Sequence, residues 1–138
     1  MSYGELAEFL ETSLDLLRDQ VPRAHERLRL QLLGSPLLLH ADRCSFVLTA
    51  GPTRFAIGDP HDSVALEIAV SKSVVLDLLD ARTSLLEAVR ADRLFLRGSV
   101  HSLSVFFAAL QTYVRGALRS ASFETLLAAY RQTRAARP

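Results

Sequence analysis

At 138 residues the chain is one domain's length, enough to bury roughly two-thirds of the surface that its unfolded form exposes. Apolar residues make up 49% and charged residues 22%, and no apolar run approaches the roughly 20 residues of a membrane span, so stable membrane insertion is not expected. A formal net charge of +1 gives no bulk attraction to nucleic acid, and the single cysteine, Cys44, excludes an intrachain disulfide.

From the N-terminus, Leu6, Phe9, Leu10, Leu14, Leu17 and Val21 recur at three- and four-residue spacing, the apolar stripe of an amphipathic helix. Pro22 ends it and suits the first position of a second helix. Over Arg27 to Leu32 the sequence alternates as a strand would. Its residues are nevertheless good helix formers, and Gly34-Ser35-Pro36 is a fitting stop, so helix is the expectation from Pro22 to Leu33. Leu37 to Ala41 and Ser45 to Ala50 read as strands joined by a turn at Asp42-Arg43. Gly51-Pro52 turns the chain into a short strand, Arg54 to Ile57, closed by the turn formers of Gly58 to Asp62.

Val64 to Val70 is the clearest strand: Val64, Leu66, Ile68 and Val70 share one face, while Ala65, Glu67 and Ala69 share the other. Ser71 or Ser73 caps a helix carrying Val74, Val75, Leu78 and Leu79, and Thr83 or Ser84 caps another carrying Leu85, Leu86 and Val89. A strand follows from Leu94 to Arg97. From about Val100 to Arg119 a long helix bears Leu103, Phe106, Phe107, Leu110, Tyr113, Val114 and Ala117. Its other side, with Val105, Ala108 and Ala109, is apolar as well, so it needs cover on both sides. One side can rest on a sheet. The other needs the last helix, with Phe123, Leu126, Leu127 and Tyr130, or a second subunit, or a bound apolar ligand. The whole reads as a single-domain α+β fold, a roughly five-stranded, mainly antiparallel sheet covered by helices. Residues 1–34 form the N-terminal helices, 35–119 the core, and 120–138 a C-terminal helix and tail.

Charge is placed unevenly. Glu5, Glu8, Glu11, Asp15 and Asp19 make the first helix acidic, whereas Arg115, Arg119, Arg131, Arg134 and Arg137 make the end basic. Solvated helix faces, with the two ends packed together, are one reading; a basic nucleic-acid or membrane patch is the other, and no nucleic-acid partner is expected. One lysine, Lys72, against fifteen arginines is a bias associated with GC-rich bacterial coding. The opening Met1-Ser2-Tyr3-Gly4-Glu5 lacks the basic start and apolar stretch of a secretory signal, so a cytoplasmic location is expected.

The segment Asp92-Arg93-Leu94-Phe95-Leu96-Arg97-Gly98-Ser99, between short apolar helices and a long apolar one, resembles the lipid-binding core of the sterol carrier protein type 2 family. There a strand and a Gly-x-Leu-x-x-x-Gly-Asp/Asn turn lead into an apolar helix lying over the sheet. Asp92 here replaces the first glycine and Ser99 the terminal acidic or amide residue, with Ser99 still able to cap the helix. A tight-turn salt bridge between Asp92 and Arg93 is one consequence considered. The looser resemblance runs from Ser35 to Arg119. It implies a hydrophobic ligand, a fatty acyl, lipid or polyketide-like molecule, held without catalysis between sheet and helices. The candidate lining is Leu78, Leu79, Leu85, Leu86, Phe95, Phe106, Phe107, Leu110, Tyr113, Phe123 and Leu127. The family's peroxisomal address is not matched by Ala135-Ala136-Arg137-Pro138.

Other chemistry finds little support. His25, His40, His61 and His101 are scattered, with no metal-ligand spacing and no Gly-rich phosphate loop, so neither metal nor cofactor is expected. Cys44 lacks a basic neighbour to activate it and reads as a structural thiol. Two rivals to a carrier stay open: a small cyclase or isomerase in which His40, His101 or Tyr113 moves a proton in the same cavity, and a ligand-free interaction domain or homodimer.

Overall fold

The computed structural model describes residues 3–133; the readings made on Met1, Ser2, Arg134, Arg137 and the final Ala135 to Pro138 lie outside the described residues. Eleven elements follow in the order α1 (Glu5–Gln20), α2 (Pro22–Leu32), β1 (Leu37–Ala41), β2 (Cys44–Ala50), β3 (Phe55–Gly58), β4 (Leu66–Val70), α3 (Lys72–Leu79), α4 (Leu85–Arg90), β5 (Leu94–Gly98), α5 (Val100–Arg119) and α6 (Phe123–Gln132). The ambiguous second segment is helix: Pro22 sits in its first turn, and Gly34 takes a left-handed φ of 76° just beyond its end. Serines cap α3, α4 and α5. Ser71 accepts from the Val74 amide, Ser84 from the Glu87 amide and Ser99 from the Ser102 amide.

The five strands lie in the order β3-β2-β1-β4-β5. Three of the four pairings are antiparallel, but β1 and β4 run parallel, so the sheet is mixed. The cause is topological: β3 and β4 point the same way from opposite sides of β1–β2, and residues 59–65 must carry the chain back to the start of the sheet. Alternation sends Leu37, Leu39, Phe46, Leu48, Leu66, Ile68 and Leu94 to the helix side, where all are buried in the core. Leu38, His40, Ser45, Glu67, Phe95 and Arg97 take the other face.

The turn at the family-like segment keeps a left-handed residue although its glycine is gone: Asp92 has φ 56°, a conformation that aspartate tolerates better than most side chains. The salt bridge considered for it is not formed. Arg93 instead donates to Asp77 of α3 at 2.7 Å, fastening the start of β5 to that helix. The basic end is tied in the same way, since Arg131 of α6 makes a two-pronged contact with Asp80 at 2.8 and 2.9 Å. α6 also packs on α1. Lys72, 3.6 Å from Glu5, lies 4.9 Å above the Tyr130 ring and donates to the Thr133 carbonyl, so α3 is held to both α1 and α6.

Candidate functional site

Between the sheet and the helices lies a cavity of about 130 Å³ that reaches across all five strands. Phe55 of β3, Leu48 of β2, Leu37 and Leu39 of β1, Ile68 and Val70 of β4 and Leu94 of β5 form its floor. Its roof comes from Phe9 and Leu14 of α1, Leu28 and Leu32 of α2, Val75, Leu78 and Leu79 of α3, Leu85 of α4, and Phe106, Ala109, Leu110 and Tyr113 of α5. The reason is the pattern already seen in the sequence. Strand residues two apart share a face, and helix residues three and four apart share a stripe, so each element presents hydrocarbon to the same space.

Of the residues singled out from the sequence, Leu78, Leu79, Leu85, Phe106, Leu110 and Tyr113 stand on this wall. Leu86 and Phe95 are each 52% exposed, Phe95 on the far face of the sheet, and Phe107 is 36% exposed on the outer side of α5. Phe123 is buried behind the wall, its ring centroid 5.9 Å from that of Phe9 and 6.3 Å from that of Tyr113. Leu127 is half-buried against the core. The contributions of α1, α2 and the strand floor were not foreseen as lining. Their apolar stripes were visible, but a stripe says that a face is buried and not what it faces.

The wall carries no open polar surface. Among the described residues Tyr113 is the one lining residue with a polar side-chain atom; its hydroxyl lies 2.7 Å from Ser13 Oγ, and because Ser13 Oγ donates its one hydrogen to the Leu10 carbonyl at 3.0 Å, Tyr113 is the donor. Burial pushes the Tyr113 ionisation above the ordinary tyrosine range. The histidines considered as acids or bases are elsewhere. His40 lies on the opposite face of the sheet, with Nδ1 2.6 Å from Ser45 Oγ and Nε2 2.7 Å from Glu67 Oε2, and His101 is exposed on the first turn of α5. No group of three metal-ligating side chains occurs among the described residues. Cys44 is half-buried beside Gly4.

At the β3 end of the cavity, the wall residue Phe55 meets the edge of His25 at 5.6 Å, nearly perpendicular. Burial, and then the nearby Arg18 charge, hold the His25 ring below its usual value of 6.5. The folded state thus resists the proton that the unfolded state takes up readily. The contribution is complete above about pH 6.5 and is lost as pH falls below it. The urea midpoint is therefore expected to hold steady from pH 9 to 7 and to decline as pH falls below about 6.5. His25→Phe, which keeps the ring contact with Phe55, should flatten that decline. An unchanged slope in the variant would assign the loss to other groups. The carboxyls of Glu26 and Asp80, lowered by hydrogen bonds from Arg29 and Arg131, act only at still lower pH.

The same architecture occurs in solved structures. The sterol carrier protein domain 2 of Helicoverpa armigera aligns with a TM-score of 0.61 at 9% identity, covering 82% of this chain and 91% of that one. The UbiJ-SCP2 ubiquinone synthesis protein aligns at 0.55 with 21% identity, covering 72% and 85%. Sterol carrier protein 2 from Yarrowia lipolytica, in its apo form, aligns at 0.51 with 12% identity, covering 72% and 88%. No protein-family model matches the sequence, and no curated protein matches it. The chain has the sterol carrier protein 2 fold, with sequence divergence from these neighbours that leaves the fold as what they share.

Proposed function

We propose that the chain binds a hydrophobic ligand, a fatty acyl or other lipid-like chain, between its sheet and its helices, and carries it without altering it. The observation that supports this reading is the cavity itself: about 130 Å³ of apolar space in an interior that folding would otherwise close-pack. Such space is costly to keep and is repaid when hydrocarbon leaves water to fill it, at roughly 0.8 kcal/mol for each methylene buried. An apolar cavity of about 150 Å³ accepts a benzene ring, so this one takes a ring or a short segment as it stands. A longer chain needs the roof to yield, and its residues Val75, Leu78 and Leu79 of α3 and Leu110 of α5 are only half-buried. The named neighbours include sterol carrier proteins, which favours carriage. An acid and a base converging inside the cavity would favour an enzyme, and among the described residues Tyr113, already engaged by Ser13, is the only polar side chain on its wall.

The test is native mass spectrometry of the purified full chain, followed by solvent extraction and titration with a fluorescent acyl probe. One ligand per chain is expected, together with a rise in melting temperature of about 10 °C when free ligand exceeds its dissociation constant a hundredfold. A protein that is empty as isolated and leaves the probe unbound overturns the reading.

A further inference from the structure

On α5, Val100, Leu103, Phe107, Leu110, Val114 and Leu118 follow one another at three or four residues, which at 100° per residue places them on one side of the helix. Leu103, Leu110 and Val114 of this row are half-buried against the core, at the border of the side that packs on the sheet and on α2, while Val100, Phe107 and Leu118 are left outside. Ala109, Thr112, Tyr113, Gly116 and Ala117 are the buried positions of α5. Val100 and Leu118 are each 80% exposed, and Phe107 is exposed between them. The twenty residues of α5 include no aspartate or glutamate. The cations are set along one edge. Arg115 and Arg119 lie between the apolar stripe and the line of contact with α2, and α2 approaches so closely that a Cβ on Gly116 would sit 2.9 Å from that of Ala24. Arg23 and Arg27, on either side of Ala24 in the sequence, are exposed too. Among the described residues none of these four arginines is held in an ion pair. The carboxylate nearest to them in α2, Glu26, is already gripped by both prongs of Arg29 at 2.9 and 3.0 Å.

We infer that this face of α5 docks on the surface of an anionic lipid bilayer, with the arginine edge on the headgroups and Val100, Phe107 and Leu118 in the upper acyl region. A helix with an aromatic and aliphatic stripe, flanked by arginines and free of acidic residues, has the composition of one that lies in the plane of an interface. The charge selects a negative surface. The inference deepens the carrier reading and rests on it for its purpose: Leu110 belongs both to the stripe and to the cavity wall, so docking brings the cavity up to the lipid it would load or release.

The experiment is sedimentation of the full chain with vesicles of phosphatidylcholine alone and of phosphatidylcholine mixed with phosphatidylglycerol, beside acyl-probe uptake in vesicle-free buffer. The wild type is expected to bind only the anionic vesicles and to be released by salt. Arg115→Glu with Arg119→Glu, and separately Leu118→Asp, should each lose about tenfold or more in vesicle affinity. Both should take up the probe as the wild type does, because none of these residues lines the cavity. Equal binding to both vesicle types, no binding to either, or wild-type binding by the arginine variant overturns the docking face, and probe uptake then still stands as its own result. A stable dimer that ignores vesicles and is split by Leu118→Asp assigns the face to a second copy and overturns it as well. Anionic-vesicle binding that responds to the variants, with no probe uptake under any condition, upholds the docking and removes the carrier reading instead.

Discussion

Ala109→Phe is expected to abolish uptake of an acyl probe while the domain stays folded. Ala109 is 3% exposed in the middle of α5, and its methyl group forms part of the cavity roof beside Phe106, Leu110 and Tyr113. A phenyl group tethered there occupies space of the size that a free benzene would take in an apolar cavity. The variant thus fills the site with a fixed occupant, adding no charge and removing no hydrogen bond. Where the ring fits, the filled cavity offsets part of the strain; where it does not, overpacking costs about 1–3 kcal/mol. In both cases the far-ultraviolet spectrum should remain that of the wild type, and probe affinity should fall by at least about a hundredfold, in line with several methylenes no longer buried. Ala108→Phe, one position along on the exposed side of α5, is the matched control and should bind the probe normally. Undiminished uptake by Ala109→Phe would place the ligand, if any, elsewhere on the molecule.

The sequence carries some levels of this structure plainly and others hardly at all, and the difference lies in how local the cause is. α5 begins where Ser99 can cap it and ends before Ser120, because capping and apolar periodicity are properties of neighbouring residues. The apolar side of β4 is equally legible, since Leu66 and Ile68 alternate with Glu67 and Ala69. The parallel pairing of β1 with β4 is not legible, because it is decided by the route of residues 59–65 and not by the composition of either strand. Apolar helices were a visible feature. Which of them cover each other was not: α5 rests chiefly on α2, while α6 lies on α1. The cavity shows the same division. Leu78, Leu79 and Leu110 were conspicuous within their own helices, whereas Leu28 and Leu32 reach the wall only because α2 folds back over the sheet. Phe95 illustrates the one-residue sensitivity of a strand. Leu94 and Leu96 turn toward the helices, so Phe95 between them must face away.

Gly116→Val should be among the most destabilising single changes in the chain, although nothing in the sequence around it marks the position. Glycine inside a helix costs about 1 kcal/mol relative to alanine, so a helix of this length keeps one there only for a reason of packing. That reason is the junction of three helices. A Cβ at Gly116 would lie 2.8 Å from Cδ2 of Leu17 in α1 and 2.9 Å from the Cβ of Ala24 in α2. The Leu17 tip can rotate, but Ala24 has no freedom except to move its backbone, and Leu17 is only 1% exposed with little room to yield. Valine adds two further methyl groups at the same point and is expected to lower stability by about 3 kcal/mol, read as a fall in the urea midpoint at constant slope. Pushing α2 away from α5 also separates Leu28 and Leu32 from Ala109, so any folded fraction should show altered probe uptake. Gly116→Ala distinguishes the contact from a general sensitivity of the helix. Its gain in helix propensity is opposed by the close approaches to Leu17 and Ala24, and Ala24→Gly removes the one that no side-chain rotation can relieve. The pair should therefore be more stable than the sum of the two single effects by about 0.5 kcal/mol or more. Strict additivity would mean that α5 and α2 are not in contact at Gly116.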